Sequence, residues 1–120
     1  MKRLLLSFGY ACNGIKAVVK SEKNMQIHLT VALFVIVLGF LLDISTPEWL
    51  ACIICIGLVF SAETMNTAIE SLVDLVSPER KPAAGKIKDI AAGGVFLAAV
   101  ISVIAGIIIF LPKIWHLIFV

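Results

Sequence analysis

Five polar side chains, spaced as on one face of a helix, interrupt a strongly hydrophobic part of the chain. They are Glu63, Asn66, Thr67, Glu70 and Asp74. At about 100° per residue, these positions fall within one face roughly 100° wide and about 16 Å long. A carboxylate near the centre of a bilayer costs on the order of 2.5 to 3.5 kcal/mol, so several on one face need partners, water or a function. The pattern indicates an active site on the inner half of a membrane helix.

The composition of the chain also indicates a membrane environment. Of 120 residues, 61% are hydrophobic and 15% are charged, and the mean hydropathy is +1.09, which is outside the range of soluble globular domains. The net charge of +2 is too small to indicate binding to nucleic acid. Three cysteines provide no disulfide framework. We therefore expect residues 1–120 to form one membrane-embedded domain.

The elements that position the polar face are predicted to be a surface helix followed by three membrane spans, in an all-α membrane protein. Residues 3–23 mix basic and apolar side chains, and we expect an amphipathic helix on the membrane surface. A secretory signal is the competing interpretation, but the apolar run in this segment is too short for one. The spans are predicted by hydrophobic length at about 25–42, 49–76 and 90–111.

Turn and charge signals separate these spans. Asp43 is expected to end the first span and Pro112 the third. Residues 77–89 contain two prolines, a glycine and four basic residues, and they are predicted to form a loop. The small residues at 91–94 are expected to let another helix pack closely.

The distribution of lysine and arginine predicts the orientation in the membrane. Five precede the first span, none lies in the turn before the second, four precede the third and one follows it. The N-terminus, the long loop and the active site are therefore expected to be cytoplasmic and the C-terminus to be outside. If Trp49 marks the outer interface, Glu63 lies about 21 Å further in. The polar face would then connect the inner leaflet with the aqueous side, where a membrane lipid and a soluble cofactor can meet.

Simpler explanations are available for several other residues. Cys52 and Cys55 form a C-x-x-C inside an apolar span without another ligand nearby, so packing is favoured over metal binding. His28 opens the first span, where a packed or headgroup-facing histidine is favoured over a ligand. Carboxylates at helix ends are usually solvated caps, and that explanation would suffice for Asp43, Glu48, Glu79 and Glu22.

No standard nucleotide-binding motif is present. The segment Ala84-Gly85-Lys86-Ile87 lacks the first glycine and the Ser/Thr of a P-loop, and nothing matches G-x-G-x-x-G. The residues alone therefore support a carboxylate-rich membrane site that faces the cytoplasm. At this level a proton-coupled transporter subunit is an alternative to an enzyme.

The polar face also carries a family resemblance that extends over nearly the whole chain. The motif Glu63-x-x-Asn66-x-Ala68-Ile69-Glu70-x-x-Val73-Asp74, followed by Lys88-Asp89, resembles that of the bacterial diacylglycerol kinase and undecaprenol kinase family. Further matching features fall in the expected order, and they are Gly9-Tyr10, Gly14, Ser21-Glu22-Lys23-Asn24 and Glu48-Trp49.

This resemblance implies a small lipid kinase in the plasma membrane of a bacterium, which transfers the γ-phosphate of ATP to a lipid alcohol. In the family, the residue matching Glu63 is the general base, and those matching Glu22 and Glu70 hold the magnesium ion bound to ATP. The residues implied to surround the nucleotide and the reacting groups are Arg3, Tyr10, Asn66, Asp74, Glu79, Arg80, Lys81, Lys88 and Asp89. Those implied to contact the acceptor are Arg3, Trp49 and Glu63.

The resemblance further implies a homotrimer with sites shared between protomers. Because three spans are not expected to enclose a pocket by themselves, we expect neighbouring subunits to shield the polar face. Asn66, three residues from Glu63 and four from Glu70, is placed to orient either carboxylate.

Smaller features favour undecaprenol as the acceptor. The chain is similar to undecaprenol kinases in Glu22-Lys-Asn-x-x-x-His28, Asn66-Thr-Ala-Ile, Lys88-Asp-x-Ala-Ala-Gly and the ending Ile109-Phe-Leu-Pro-Lys113. Diacylglycerol kinases of the family tend to have Asn-Ser-Ala-Ile, and a Gly-Ser pair where Ala91-Ala92 stands here. The alternative acceptor is diacylglycerol, with phosphatidic acid as the product.

Overall fold

The computed structural model describes residues 1–120 and contains four α-helices and no strand. The helices are α1 (Lys2–Ser21), α2 (Lys23–Leu41), α3 (Thr46–Val76) and α4 (Pro82–Phe119). The last three are each long and apolar enough to cross a membrane. The predicted all-helical architecture with three apolar spans is therefore confirmed.

One extended residue, Glu22, separates α1 from α2. The side-chain Nε2 of Gln26 donates hydrogen bonds to the backbone carbonyls of Val19 and Lys20 at 3.2 and 3.3 Å, which gives partners to carbonyls at the end of α1. Val18 is the single buried residue of α1, and the helix contacts α2 and α3. Its location on a membrane surface stays a prediction.

Backbone hydrogen bonds close α2 at the predicted place. Asp43 has a φ of 51°, a left-handed conformation that aspartate tolerates better than most residues. The N–H of Ile44 donates to the carbonyl of Gly39 at 3.2 Å, and the N–H of Asp43 donates to the carbonyl of Phe40 at 3.3 Å. These two bonds form a Schellman motif. The prediction that Asp43 ends the first helix is confirmed.

A capping box starts α3. The Glu48 N–H donates to the Ser45 hydroxyl oxygen at 3.4 Å, and the Ser45 N–H donates to the Glu48 carboxylate at 2.9 Å. The Nζ of Lys113 lies 3.2 Å from the same carboxylate and ties α4 to this end of α3. The interpretation of Glu48 as a helix cap is confirmed. Ser45, Glu48, Trp49 and Lys113 are called the capped end below.

A tight contact between α2 and α3 also lies at the capped end. A Cβ at position 39 would be 2.7 Å from the ring of Trp49, so the ring occupies the space that a larger residue than Gly39 would need. The ring of Phe40 packs against the same tryptophan, with centroids 4.9 Å apart. The buried apolar cluster beside them consists of Ile44, Cys52, Ile109 and Phe110.

The bounds of α4 correct two predictions. The helix begins at Pro82, so the second half of the predicted loop 77–89 is helical. Proline suits a first helical turn because its φ is already fixed and its missing N–H would have no partner there. Pro112 does not end the helix, which continues to Phe119. A proline removes one backbone donor, and membrane helices tolerate that loss where other groups satisfy the freed carbonyl.

Candidate active site

The inner part of α3 leads from the protein interior to its surface. Glu63 is 1% exposed and Asn66 is 6% exposed. Glu70 is half-buried, and the side chain of Asp74 is 65% exposed. These four residues are called the polar half of α3 below. A buried carboxylate and an exposed one thus share one helix, with an amide and a third carboxylate between them.

Glu63 is the one fully buried large side chain of the molecule. Its carboxylate takes part in no side-chain hydrogen bond, and its one ionisable neighbour is His28 of α2, with Nε2 3.6 Å from Oε2. That separation exceeds hydrogen-bonding distance. The oxygens of Glu63 are therefore available to accept a proton from a bound hydroxyl.

The burial of Glu63 corrects an expectation about the subunits. The sequence predicts that neighbouring protomers shield the polar face, yet a single chain already covers this carboxylate. The reason is that α2 approaches α3 at His28 while α4 packs along α3. Glu70 and Asp74 are the members of the face that one chain leaves open.

Asn66 and Glu70 form a pair of oxygen-bearing side chains. The Nδ2 of Asn66 donates to Oε1 of Glu70 at 3.4 Å, so the amide pairs with Glu70 and not with Glu63. The Oδ1 of Asn66 is buried and has no hydrogen-bond partner. Leaving a buried acceptor unpaired costs about 1–3 kcal/mol. An unpaired oxygen beside a carboxylate is a donor set that fits magnesium, which prefers hard oxygen ligands.

Glu22, the second predicted metal ligand, lies half-buried between α1 and α2. Its carboxylate makes no hydrogen bond or ion pair within the chain. No group of three or more candidate ligands is present, so the protein would supply few of the ligands. Magnesium commonly takes one or two carboxylates and completes its shell with phosphates and water. The assignment of Glu22 to the metal stays a prediction.

Asp74 and Lys88 connect α3 with α4 beyond the connecting loop. The Nζ of Lys88 donates to Oδ1 of Asp74. Lys88 reaches this carboxylate because α4 begins at Pro82 and places it in the second helical turn. The two side chains are 65% and 37% exposed, so the ion pair adds about 1 kcal/mol or less to stability. Both groups are accessible to a charged solute.

The remaining predicted nucleotide residues are exposed, and none of their side chains takes part in a hydrogen bond or ion pair. They are Arg3, Tyr10, Glu79, Arg80, Lys81 and Asp89. Trp49, predicted to contact the acceptor, lies at the capped end, about 21 Å along α3 from Glu63. None of these residues forms an ion pair with Glu63, whose one such partner is His28, and their roles stay predictions.

An apolar cavity of about 360 Å³ lies between α2, α3 and α4, and 13 of its 16 lining residues are hydrophobic. Cys52 and Cys55 belong to this lining, as does Ser102. The Ser102 hydroxyl donates to the carbonyl of Ala98 in its own helix at 2.8 Å, with the carbonyl of Cys55 on α3 as a longer second acceptor at 3.5 Å. His28 lines the cavity as well, whereas Glu63 does not, so His28 is the residue that connects the cavity with the buried carboxylate of Glu63.

His28 and the cavity are what the sequence did not reveal. His28 was interpreted as a packed or headgroup-facing residue, whereas the structure places it against the candidate base. The available signal was an imidazole near the start of an otherwise apolar span. Such a residue is a candidate partner for an intramembrane carboxylate elsewhere in the chain.

Comparison with known proteins places this site in a family. The sequence profile described as "Prokaryotic diacylglycerol kinase" matches residues 9–110. The chain belongs to this family. Membership confirms the predicted resemblance and identifies an integral membrane lipid kinase, a phosphotransferase with an alcohol group as acceptor. It decides against the transporter alternative.

Three relatives show how this kinase compares with other members. It is 44% identical to the undecaprenol kinase of Bacillus subtilis (strain 168) over 94% of this chain and 92% of that protein. It is 36% identical to a diacylglycerol kinase of Synechocystis over 95% of this chain and 66% of the relative. For the diacylglycerol kinase of Haemophilus influenzae the identity is 30%, over 92% and 94% of the two chains.

Proposed function

We propose that this kinase transfers the γ-phosphate of Mg·ATP to the hydroxyl of undecaprenol and thereby forms undecaprenyl phosphate. The observation that carries the proposal is the position of Glu63, a carboxylate that is 1% exposed. It lies on the same helix as Asp74, whose exposed carboxylate pairs with Lys88 of α4. An apolar acceptor can reach one end of this arrangement and a water-soluble nucleotide the other.

Glu63 acts as the general base. A lipid hydroxyl is a poor nucleophile, and a carboxylate within reach can accept its proton as the oxygen attacks the γ-phosphorus. The new bond joins the lipid oxygen to phosphorus, and the bond to the bridging oxygen of ATP breaks. ADP leaves with that electron pair. The proton remains on Glu63 until it is released to solvent.

Glu70 and Glu22 hold the magnesium ion of Mg·ATP, with Asn66 orienting Glu70 through its amide. When bound, the ion neutralises charge on the transferring phosphate. Lys88 supplies positive charge to the phosphates without a P-loop. The other residues proposed to surround the nucleotide are Arg3, Tyr10, Asp74, Glu79, Arg80, Lys81 and Asp89.

The cavity between α2, α3 and α4 accommodates part of the acceptor chain. His28, which lines this cavity, also contacts Glu63. The lining is almost entirely apolar, as a polyprenyl chain requires. Two further observations favour undecaprenol over diacylglycerol. They are the 44% identity to an undecaprenol kinase, against 36% and 30% for two diacylglycerol kinases, and the local motifs shared with undecaprenol kinases.

The working unit is a homotrimer in the bacterial plasma membrane, with its N-terminus and active site in the cytoplasm and its C-terminus outside. Arg3 and Tyr10 on α1 are exposed and accessible to a neighbouring protomer or a ligand. The topology is tested in a background without the native cysteines Cys12, Cys52 and Cys55. A water-soluble thiol reagent is expected to label Asp74→Cys and Lys88→Cys from the cytoplasmic side and Ser102→Cys from neither side. Labelling of Asp74→Cys from outside would contradict this orientation.

The acceptor is tested with purified protein in mixed micelles with Mg·ATP. Undecaprenol, farnesol and diacylglycerol are offered in parallel, and phosphate transfer to each is measured. We expect the highest kcat/KM for undecaprenol. Faster transfer to diacylglycerol would identify the alternative acceptor, and no transfer to any of the three would overturn the proposed function.

A further inference from the structure

We propose that His28 is a positioning residue for Glu63. Its Nε2–H donates to Oε2 of Glu63 in the substrate complex and holds the carboxylate so that Oε1 faces the acceptor hydroxyl. The inference rests on the proposed role of Glu63 as the base.

The contact geometry supports this role. The Nε2 of His28 lies 3.6 Å from Oε2 of Glu63, and the two side chains are 21% and 2% exposed. Hydrogen bonds in catalytic sites are often long without substrate and tighten in the complex. Closure by a few tenths of an ångström brings this pair to the 2.7 to 3.2 Å typical of an N–H···O bond.

The surroundings leave His28 as the one group of this chain that can perform the task. On α3, Asn66 pairs with Glu70 and not with Glu63. On α4, the stretch from Ile90 to Leu111 contains no charged, amide or imidazole side chain. A buried carboxylate without a fixed partner samples several orientations, and loss of alignment between base and nucleophile costs rate.

His28 also differs from an ordinary packed histidine. A buried histidine usually has its ring nitrogens hydrogen-bonded, whereas neither nitrogen of His28 makes a hydrogen bond within the chain. The residue both lines the apolar cavity and contacts Glu63, which is not part of the cavity lining. The ring therefore lies between the cavity proposed for the polyprenyl chain and the base Glu63, where it can orient the carboxylate towards the acceptor.

The test compares two substitutions of similar shape. His28→Met removes the donor, and His28→Gln keeps one, because its amide Nε2–H can reach the same oxygen. We expect His28→Met to lower kcat for undecaprenol about 100-fold, the size of effect that a misplacement near 1 Å produces. The KM for Mg·ATP is expected to stay unchanged. His28→Gln is expected to recover most of the lost rate.

Controls separate a structural role from positioning. The exposed His116→Met, at the far end of α4, is expected to retain the parent rate. Thermal unfolding in micelles checks the fold of each variant, and His28→Leu replaces His28→Met if the latter does not fold. A parent-like rate for the donor-free variant, or equal losses in folded His28→Met and His28→Gln, would overturn the inference. So would a loss confined to the KM for Mg·ATP.

The same assay includes the parent and Glu63→Gln, so that two failures can be told apart. A parent without lipid-dependent transfer overturns the proposed function, and an active Glu63→Gln overturns the role of Glu63 as the base. An active parent and an inactive Glu63→Gln, combined with a normal His28→Met, overturn only the role of His28.

Discussion

The polar side chains at the two ends of α3 differ in how many hydrogen-bond and ion-pair partners they have. At the capped end, the Glu48 carboxylate has three partners at 2.9 to 3.2 Å, namely the Ser45 N–H, the Ser45 hydroxyl and Lys113. In the polar half, Glu63 has one contact at 3.6 Å, and Asn66 keeps a buried oxygen without a partner. Polar groups that stabilise a fold find their partners within it. Those that lack partners when buried are candidates for binding something else.

The largest effect should separate two carboxylates on the same helix. We expect Glu63→Gln to lower phosphate transfer by about 10²- to 10⁴-fold, the usual contribution of a general base, with ATP binding retained. Glu48→Gln, the matched change at the capped end, should leave transfer unchanged. Initial rates and nucleotide titration measure both. Normal turnover by Glu63→Gln would remove it from the mechanism.

A second comparison concerns the carboxylates that are proposed to bind the metal. Glu22→Gln and Glu70→Gln should each weaken magnesium-dependent ATP binding by about 10- to 100-fold, because each loses a charged interaction of about 1.5–3 kcal/mol. Asp43→Asn, at the turn between α2 and α3, serves as the control. Binding is measured over a magnesium titration. If both variants bind Mg·ATP like the parent, the metal assignment is wrong.

The third comparison concerns two glycines in the apolar spans. Gly106 lines the cavity and Gly57 does not, and neither has an atom within 4 Å of an added Cβ. We expect Gly106→Leu to raise the KM for undecaprenol about tenfold, at the lower end of what shape changes in hydrophobic pockets cause. Gly57→Leu should not change this KM. Equal KM values for the two variants would contradict the placement of the polyprenyl chain of the acceptor in the cavity.

The smallest effect should be confined to stability. Ser45→Ala removes the capping hydroxyl of α3 and should cost about 0.5–2 kcal/mol of unfolding free energy. Phosphate transfer by the folded fraction should match that of the parent, because the change lies far from the polar half. Unfolding in micelles and initial rates are measured on the same samples. A loss of turnover without a loss of stability would show that the capped end takes part in catalysis.

The architecture and the polar face followed from local patterns. Hydrophobic length predicted the three spans, and helical spacing grouped Glu63 with Glu70. The start of α4 was missed because Pro82 and Gly85 were interpreted as loop residues, although proline in a first turn favours a helix. Likewise, Pro112 was taken as a stop where the helix continues.

Contacts between helices could not be predicted in the same way. The approach of His28 to Glu63 joins residues on two different helices, α2 and α3, and no periodicity within one helix encodes it. The cavity has the same origin, since it is a space that three helices leave between them. The orphaned Oδ1 of Asn66 depends on which of two neighbouring carboxylates takes the amide, and spacing alone allowed both.

The unbroken length of α4 has a mechanical consequence. Lys88 and Lys113 lie on this one helix, about 38 Å apart at 1.5 Å per residue, whereas the hydrocarbon core is about 30 Å thick. Their ammonium groups can therefore reach the headgroups of opposite leaflets, so each end of the helix is held at a membrane–water interface. A thinner bilayer makes a helix of this length tilt. Because α3 packs along α4 and is joined to it by the Asp74–Lys88 and Glu48–Lys113 pairs, the two helices are expected to tilt together, so that a change in bilayer thickness reorients the polar half of α3 as well.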